Sequence, residues 1–141
     1  MSWISKEEFS LFSKIKRIVE KMPEIDLGKD RKGTKILVSC HILSRALAKF
    51  FPVIVKDGSF GGLIEHSWLE IGNGLIIDPY PPGVVGGPIL VDPRWLTVPW
   101  MSLYKEGELL FVQDICFLKS VDKVVEVIRK TMTELSITAD P

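Results

Sequence analysis

The stretch EHSWLEIGNGLIIDPY, residues 65–80, alternates apolar with other residues on both sides of an Asn-Gly pair. Such alternation around glycine and asparagine is typical of a β-hairpin. The stretch also holds His66, one of only two histidines in the chain, and Asp78, which precedes a proline. A two-residue turn at 73–74 would place Asp78 opposite Leu69, on the apolar face, and would leave His66 on the other face.

A three-residue loop at 72–74 gives the register that the hydrophobic pattern favours. Ile71 then pairs with Leu75 and Leu69 with Ile77, so that four apolar side chains share one face. The opposite face carries the remaining alternate residues, His66, Trp68, Glu70, Ile76, Asp78 and Tyr80. In this register the imidazole and the carboxylate lie one diagonal step apart, within reach of each other. The hairpin therefore predicts a His-Asp pair.

The size and charge of the chain narrow the classes of protein to which it can belong. Its 141 residues are the usual size of one domain, and we expect a single domain over 1–141. The 18 basic residues balance the 18 acidic ones, so there is no electrostatic reason to bind nucleic acid or an anionic membrane. The sequence lacks an apolar run of roughly 20 residues and a signal-peptide core. We therefore expect a cytoplasmic protein without nucleic-acid or membrane partners.

Three segments carry the periodicity of amphipathic helices. Ser5 and Glu8 form a capping-box pattern at the start of the first helix, which ends before a proline. The second helix begins near Ser39 and runs to about Phe51, where another proline follows. The third helix covers residues 120–135, with apolar residues along one face.

The remaining segments predict strands and one long connection. VIVKDG at 53–58 has the composition of a short strand closed by an Asp-Gly turn, and ELLFVQDICFL at 108–118 that of another strand, with Cys116 in the core. Residues 79–100 hold six prolines and three glycines and start directly after Asp78, which favours a lid or cleft wall. Together these elements predict an α+β fold, with helices packed on a mostly antiparallel sheet.

Cys40 is the candidate for the nucleophile that a His-Asp pair usually serves. It falls in the first turn of its helix, after the cap residue Ser39, where unpaired N–H groups and the helix dipole favour a thiolate and can receive an oxyanion. His41 is a rival base, but adjacent helical residues point about 100° apart, so a rim or surface position is expected for it. Zinc-type Cys/His spacing and phosphate-binding glycine motifs are absent from the sequence, and we expect neither a metal nor a cofactor.

The order of these groups carries a resemblance to a known family. Cys40 opens a helix, HSWLE at 66–70 lies on a predicted strand, and IIDPY at 76–80 lies on the next strand. This arrangement resembles the transglutaminase-like branch of the papain-like cysteine enzymes, over roughly residues 34–80. The papain signature around the cysteine is absent, so a standard papain-type peptidase is not expected.

The resemblance implies a role for each matched residue. Cys40 would be the nucleophile, His66 the general base and then the general acid, and Asp78 the residue that orients the imidazole. Trp68 would belong to the same motif, as a packing residue beside the dyad. The glutamine that donates to the oxyanion in papain-like proteases has no counterpart here, since the single glutamine, Gln113, lies far downstream.

These observations predict cysteine-dependent acyl transfer or amide hydrolysis through a thioester, on a peptide or protein substrate with an amide bond. The resemblance extends to small proteins that cleave leader peptides during bacterial peptide maturation. Two alternatives stay open, an acyl-coenzyme A dependent N-acyltransferase and a catalytically inactive module that binds a peptide or protein. The presence of a cysteine, a histidine and an aspartate in this order favours catalysis. Four aromatic residues are candidates for the substrate cleft, Trp68, Tyr80, Trp95 and Trp100.

Overall fold

The computed structural model describes residues 4–72, 74–81, 87–92 and 103–139. Three α-helices lie in these ranges, α1 (Lys6–Lys21), α2 (Cys40–Ala48) and α3 (Ile115–Leu135). Five strands accompany them, β1 (Ile54–Phe60), β2 (Ile64–Ile71), β3 (Leu75–Asp78), β4 (Ile89–Val91) and β5 (Tyr104–Glu106). A 3-10 helix, Leu110–Gln113, precedes α3. The predicted α+β class is confirmed.

The five strands form one sheet in the order β4-β3-β2-β1-β5, and each neighbouring pair is antiparallel. The β2–β3 hairpin has the register predicted from its hydrophobic pattern, with Leu69 opposite Ile77 and Ile71 opposite Leu75. These four side chains are at most 6% exposed and belong to the main hydrophobic core. Because a slip of one residue would turn all four away from that core, their burial fixes the register. The middle loop residue, Asn73, lies outside the described residues.

The three helices contribute to the same main core. α1 begins with the predicted capping box, in which the Ser5 hydroxyl accepts the Glu8 N–H at 3.1 Å and the Glu8 carboxylate accepts the Ser5 N–H at 2.8 Å. α2 ends at Ala48, slightly before its predicted end near Phe51. The deepest apolar residues of the helices, all fully buried, are Ile15, Ile18, Ala46, Leu47, Val124 and Ile128. Burial of one large apolar side chain contributes about 1.5–3 kcal/mol, so this packing holds α2 firmly against β2 and α3.

The other face of the hairpin carries a second, smaller core. It consists of Trp68, Ile76, Val91 and Tyr104, each at most 9% exposed. Trp68 and Ile76 are on the face that the sequence places opposite the main core, and β4 and β5 each add one residue to cover them. Both faces of the hairpin are therefore covered, which accounts for the burial of His66 and Asp78.

The predicted Asp-Gly turn at the end of β1 is wrong. β1 continues through Asp57 and Gly58, and the chain turns at Gly61 and Gly62, which have φ values of 67° and 74°. Gly58 is required for a different reason, since a Cβ atom there would lie 1.8 Å from the carbonyl oxygen of Lys105. This glycine marks the close approach of β5 to β1.

The predicted strand over 108–118 is also wrong. Its first half contains the 3-10 helix and its second half starts α3, where the Asp114 carboxylate accepts the N–H of Cys116 at 2.7 Å. Ile115 and Leu118 are 65% and 48% exposed, so the apolar composition of this run does not reflect burial. Cys116 is exposed as well, and its predicted core position is wrong.

Some predictions fall on residues outside the described ranges. Trp95, Trp100 and most of the predicted lid at 79–100 lie there, and β4 is the strand described within that segment. None of the described helices is long and apolar enough to cross a membrane.

Candidate active site

Cys40 is the first residue of α2, and its thiol is half-buried. The Ser39 hydroxyl caps the helix by accepting the N–H of Ile42 at 3.3 Å. A helix leaves its first N–H groups without partners inside the helix. Since the cap takes the N–H of Ile42, the N–H groups of Cys40 and His41 are the first-turn donors that the cap leaves unused.

His66 and Asp78 lie on neighbouring strands and form the predicted pair. The His66 Nε2 atom is 2.7 Å from Asp78 Oδ2, and its Nδ1 atom is 3.2 Å from Cys40 Sγ. The His66 and Asp78 side chains are 1% and 0% exposed. The structure thus brings the three residues, called the triad below, into one line of hydrogen bonds from carboxylate through imidazole to sulfur.

Two further hydrogen bonds hold the Asp78 carboxylate. Tyr104 donates its hydroxyl to Oδ2 at 2.8 Å, and the Tyr80 N–H donates to Oδ1 at 3.2 Å. Burial and the neighbouring Asp78 carboxylate raise the pKa of the Tyr104 hydroxyl, which keeps it protonated as a donor. No local sequence signal pointed to Tyr104 as a site residue, because β5 is three residues long and its pairing with β1 is a long-range contact.

Aromatic rings surround the buried imidazole of His66. Trp68 stacks beside it, with ring centroids 6.0 Å apart and an interplanar angle of 25°. Phe60 meets the imidazole edge-on, with centroids 5.9 Å apart. Trp68 is 2% exposed and supports the imidazole from inside the protein, whereas Tyr80 is 55% exposed. A substrate-binding role for Trp68 and Tyr80 stays a prediction.

The pKa of the His66 imidazole is raised and that of the Cys40 thiol is lowered, so that each shift favours the charged form of its group. Burial lowers the pKa of His66, but the hydrogen bonds and charges of Asp78 and Cys40 outweigh burial and raise this pKa to about 9. Burial raises the pKa of Cys40. Hydrogen bonds from His41, His66 and the Ser67 N–H, together with the charge of His66, outweigh that burial and lower the pKa to about 6. Between these two values the pair is a thiolate and an imidazolium.

A second chain of polar groups reaches the same centre through His41. The His41 Nδ1 atom lies 2.7 Å from Ser67 Oγ, and the Ser67 hydroxyl donates to Asp57 Oδ1 at 2.5 Å. Arg45 forms an ion pair with Asp57, and it donates to Ser67 Oγ at 3.4 Å and to the carbonyl of His41 at 3.3 Å. Burial raises the pKa of Asp57, but the bonds from Arg45 and Ser67 and the nearby positive charge lower it overall. His41 is half-buried, consistent with a rim position, but its hydrogen bonds were not foreseen.

A groove of about 380 Å³ is lined in part by Val38, two residues before Cys40 in sequence, and by Tyr80, two residues after Asp78. A larger cavity, about 720 Å³, lies at the Ile71 end of β2. Ile71 is five residues from His66 along this strand, a distance of about 16 Å. Neither space is lined by a residue of the triad, and the smaller one is bordered by residues that are close to Cys40 and Asp78 in sequence.

Within the described ranges, no group of three or more His, Cys, Asp or Glu side chains is placed to hold a metal ion. Comparison of the chain with protein-family models, with curated proteins and with solved structures gives no match. A function for this site therefore has to be inferred from its own residues.

Proposed function

We propose that the chain is a cysteine-dependent acyl-transfer enzyme or amidase of the transglutaminase-like kind, with Cys40 as its nucleophile. The observation that carries this proposal is the continuous line from Asp78 through His66 to Cys40, with contacts of 2.7 and 3.2 Å. A buried imidazole between a carboxylate and a thiol is the arrangement that activates a cysteine for attack. The lowered pKa of Cys40 adds support, because the thiolate is the nucleophilic form.

The reaction proceeds through a thioester. The Cys40 thiolate attacks the carbonyl carbon of an amide, an S–C bond forms, and the carbonyl oxygen takes the negative charge. The His66 imidazolium then gives its Nδ1 proton to the leaving nitrogen, the C–N bond breaks and the amine departs. Water or a second amine next attacks the thioester and loses a proton to His66, and the S–C bond breaks to restore the thiolate. Atoms and charges balance in these steps without a cofactor.

Asp78 orients the imidazole, and the start of α2 offers hydrogen-bond donors to the oxyanion. Asp78 binds Nε2 of His66, which directs Nδ1 of the imidazole at the sulfur and stabilises the imidazolium. The N–H groups of Cys40 and His41 are the candidate donors to the oxyanion, because they lie beside the nucleophile and the Ser39 cap does not use them. Backbone donors would take the place of the missing glutamine side chain.

A peptide or protein is the substrate class that the surface around the triad favours. Leu37 and Tyr80, three residues before Cys40 and two residues after Asp78 in sequence, line the smaller groove and are 69% and 55% exposed. On another side of the site, Phe111 is 38% exposed and meets the ring of His41 with centroids 4.8 Å apart. Apolar side chains that stay exposed next to an open groove can bind the side chains of an extended polypeptide.

Trapping the acyl-enzyme tests the proposal. Mixtures of peptide amides and activated amides are incubated with the protein, quenched in acid and analysed by mass spectrometry of the intact chain and of its fragments. We expect the mass of an acyl group on Cys40 in the wild type and in Cys116→Ser, and no adduct in Cys40→Ala. Cys116 is a suitable control because it is the other cysteine of the chain, is exposed and lies outside the triad.

The same experiment separates the alternatives. An added alkylamine that appears in the product identifies acyl transfer, and a free acid identifies hydrolysis. An acyl group that forms equally well on Cys40→Ala contradicts the proposal. If no amide yields a thioester or a product, the result favours the alternative of a catalytically inactive module that binds a peptide or protein.

A further inference from the structure

We propose that Arg45, paired with Asp57, is a positioning residue of the reaction centre. It ties the first turn of α2 to strand β2 and so sets the contact between Cys40 and His66. The inference rests on the proposed function and deepens it, since it explains how the nucleophile and its base are held in register. Arg45 acts through the backbone of α2 and through Ser67, and the triad alone does not account for these contacts.

The main core joins α2 to β2 farther along each element than the reacting residues. Cys40 and His41 precede the residues that α2 contributes to this core, Ile42, Leu43, Ala46 and Leu47. On β2 the core residues are Leu69 and Ile71, which follow His66. Apolar contact is not directional, so it holds the helix on the sheet without fixing how its first turn meets His66.

Two hydrogen bonds from one nitrogen of the Arg45 guanidinium supply the missing direction. Nη1 donates to the carbonyl oxygen of His41 at 3.3 Å and to Ser67 Oγ at 3.4 Å. His41 is the residue after Cys40, and Ser67 is the residue after His66. The guanidinium therefore bridges the two chain segments that carry the reacting pair.

Asp57 holds the other guanidinium nitrogen from the sheet. It is the cross-strand partner of Ser67 in the β1–β2 ladder, so the two side chains share one face of the sheet. The Ser67 hydroxyl donates to Asp57 Oδ1 at 2.5 Å, and Nη2 of Arg45 pairs with Oδ2. A planar guanidinium can make all of these contacts at once because its nitrogens form a rigid fork, whereas an ammonium group acts from a single point.

The Ser67 hydroxyl is the point at which these links converge. It donates to Asp57 and also contacts His41 Nδ1, at 2.7 Å, and Arg45 Nη1. A hydroxyl has one proton and two lone pairs, so three contacts use its whole capacity. Ser67 is fully buried, and solvent does not compete for these contacts. A buried polar group with all its partners in place favours one arrangement, which makes the link between α2 and β2 specific.

The energetics of the ion pair also favour a positioning role. The side chains of Arg45 and Asp57 are 18% and 22% exposed, so both lose much of their hydration. Such a pair adds little stability compared with apolar side chains of similar volume, whereas its directional bonds can fix how two elements meet. The ring of Phe117, 5.5 Å from the guanidinium carbon, covers Arg45 from the side of α3.

The rate of alkylation of Cys40 by iodoacetamide, followed across pH by mass spectrometry of the Cys40 peptide, tests this inference without any substrate. The Arg45→Met, Asp57→Asn double variant removes one charge of each sign, so the net charge is unchanged. It also leaves an amide oxygen to accept the Ser67 hydroxyl. Arg45→Lys keeps the positive charge and loses the fork. Circular dichroism checks that each variant is folded.

Arg129→Met is the matched control. Arg129 also forms an ion pair, with Glu126, and its guanidinium carbon lies 5.6 Å from the ring of Phe50. Its contacts are of the same two kinds as those of Arg45, but they lie on an exposed part of α3, away from the triad. The control should be alkylated at Cys40 like the wild type.

We expect the double variant to slow alkylation about fivefold at pH 6, the wild-type pKa of Cys40, because a loosened contact with His66 stabilises the thiolate less. Near pH 10, where the thiol is ionised in every variant, the rate should be unchanged. Arg45→Lys should show part of the loss at pH 6. A loss of equal size at both pH values would reflect altered access to the thiol and would overturn the inference.

Two further results would also overturn it. One is a double variant with the wild-type profile, and the other is an Arg45→Lys profile equal to that of the wild type, since a charge alone would then be enough. If the double variant does not fold, Arg45→Lys decides the question by itself. If the profiles change as expected but no amide forms a thioester, the proposed function fails and the positioning of Cys40 by Arg45 stands.

Discussion

The Tyr104 hydroxyl donates to Oδ2 of Asp78 at 2.8 Å, although the two residues lie on strands that are three positions apart in the sheet. Three strand spacings on a flat sheet amount to about 14 Å, which is farther than a tyrosine side chain reaches. The sheet must therefore curl around the second core, and Val91 from the opposite edge joins Tyr104 there. This curl brings a donor from one edge strand to the buried carboxylate of the triad.

Removal of that donor should weaken the triad without dismantling it. Tyr104→Phe keeps the ring in the second core and removes one hydrogen bond, so we expect a loss of about 1 kcal/mol in the free energy of unfolding. Asp78 keeps its contacts with His66 and with the N–H of Tyr80, so the acylation rate should fall by less than about tenfold. Urea unfolding and single-turnover acylation measure the two effects. A rate loss as large as that of Asp78→Asn would show that the phenol has a more direct part in the reaction.

The pKa values of the Cys40–His66 pair predict the pH range of activity. The thiolate forms as the pH rises through about 6, and the imidazolium is lost as the pH rises through about 9. We expect kcat/KM to be highest between these values and to fall on both sides, with apparent pKa values that belong to the coupled pair. The ultraviolet absorbance of the thiolate, titrated in Cys116→Ser, provides an independent measure. A thiolate that appears only above the ordinary thiol pKa of about 8.5 would contradict the ion pair.

The register of the hairpin and the start of α2 were predictable because their causes are local. Ile71 and Leu75 flank the loop directly, and a shift by one residue would expose the apolar face of both strands. Ser39 caps a helix whose first residue is Cys40, a relation visible within four residues of sequence. The placement of the three triad side chains follows from these two local features and the packing of α2 on β2.

The contacts that the sequence did not reveal depend on distant segments. Tyr104 reaches Asp78 because β5 pairs with β1, and Gly58 makes that pairing possible. His41 is held by Ser67, on another element, through the contact between its Nδ1 atom and the serine hydroxyl. Hydrophobic periodicity reports which face of an element is buried and does not report which polar groups meet across the fold.

Asp78→Asn should separate the electrostatic contribution of the carboxylate from its contribution to folding. The amide fills nearly the same volume but lacks the charge that stabilises the His66 imidazolium, so the pKa of His66 should fall and that of Cys40 should rise. We expect the acylation rate to fall by a factor on the order of 10² to 10⁴. Asp122→Asn, on the exposed face of α3, is the matched control and should react like the wild type.

Urea unfolding of the same variant decides how a loss of rate is to be interpreted. The buried carboxylate has a desolvation cost that the amide lacks, so the free energy of unfolding should change much less than the reaction rate suggests. Unfolding of Asp78→Asn at far lower urea, together with the loss of activity, would mean that the residue is primarily structural. In that case the line of hydrogen bonds would no longer support a catalytic role.

Gly58→Ala tests whether the pairing of β5 with β1 supports the site. Gly58 pairs with His66 on one side and with Glu106 on the other, and an added Cβ would lie 1.8 Å from the Lys105 carbonyl oxygen. β5 would have to move away, and the hydroxyl of Tyr104 would move with it. We expect a loss of about 1–3 kcal/mol in the free energy of unfolding, and a lower acylation rate than in Tyr104→Phe.

Gly107→Ala provides the matched control, since a Cβ at that position would meet its nearest neighbour, the Cα of Gly58, at an ordinary 3.7 Å. It should unfold and react like the wild type. The comparison is therefore between two neighbouring glycines, Gly58 within β1 and Gly107 directly after β5. If Gly58→Ala is as stable and as active as Gly107→Ala, the edge strand β5 does not hold Tyr104 in place, and the contact between Tyr104 and Asp78 must be maintained by the second core alone.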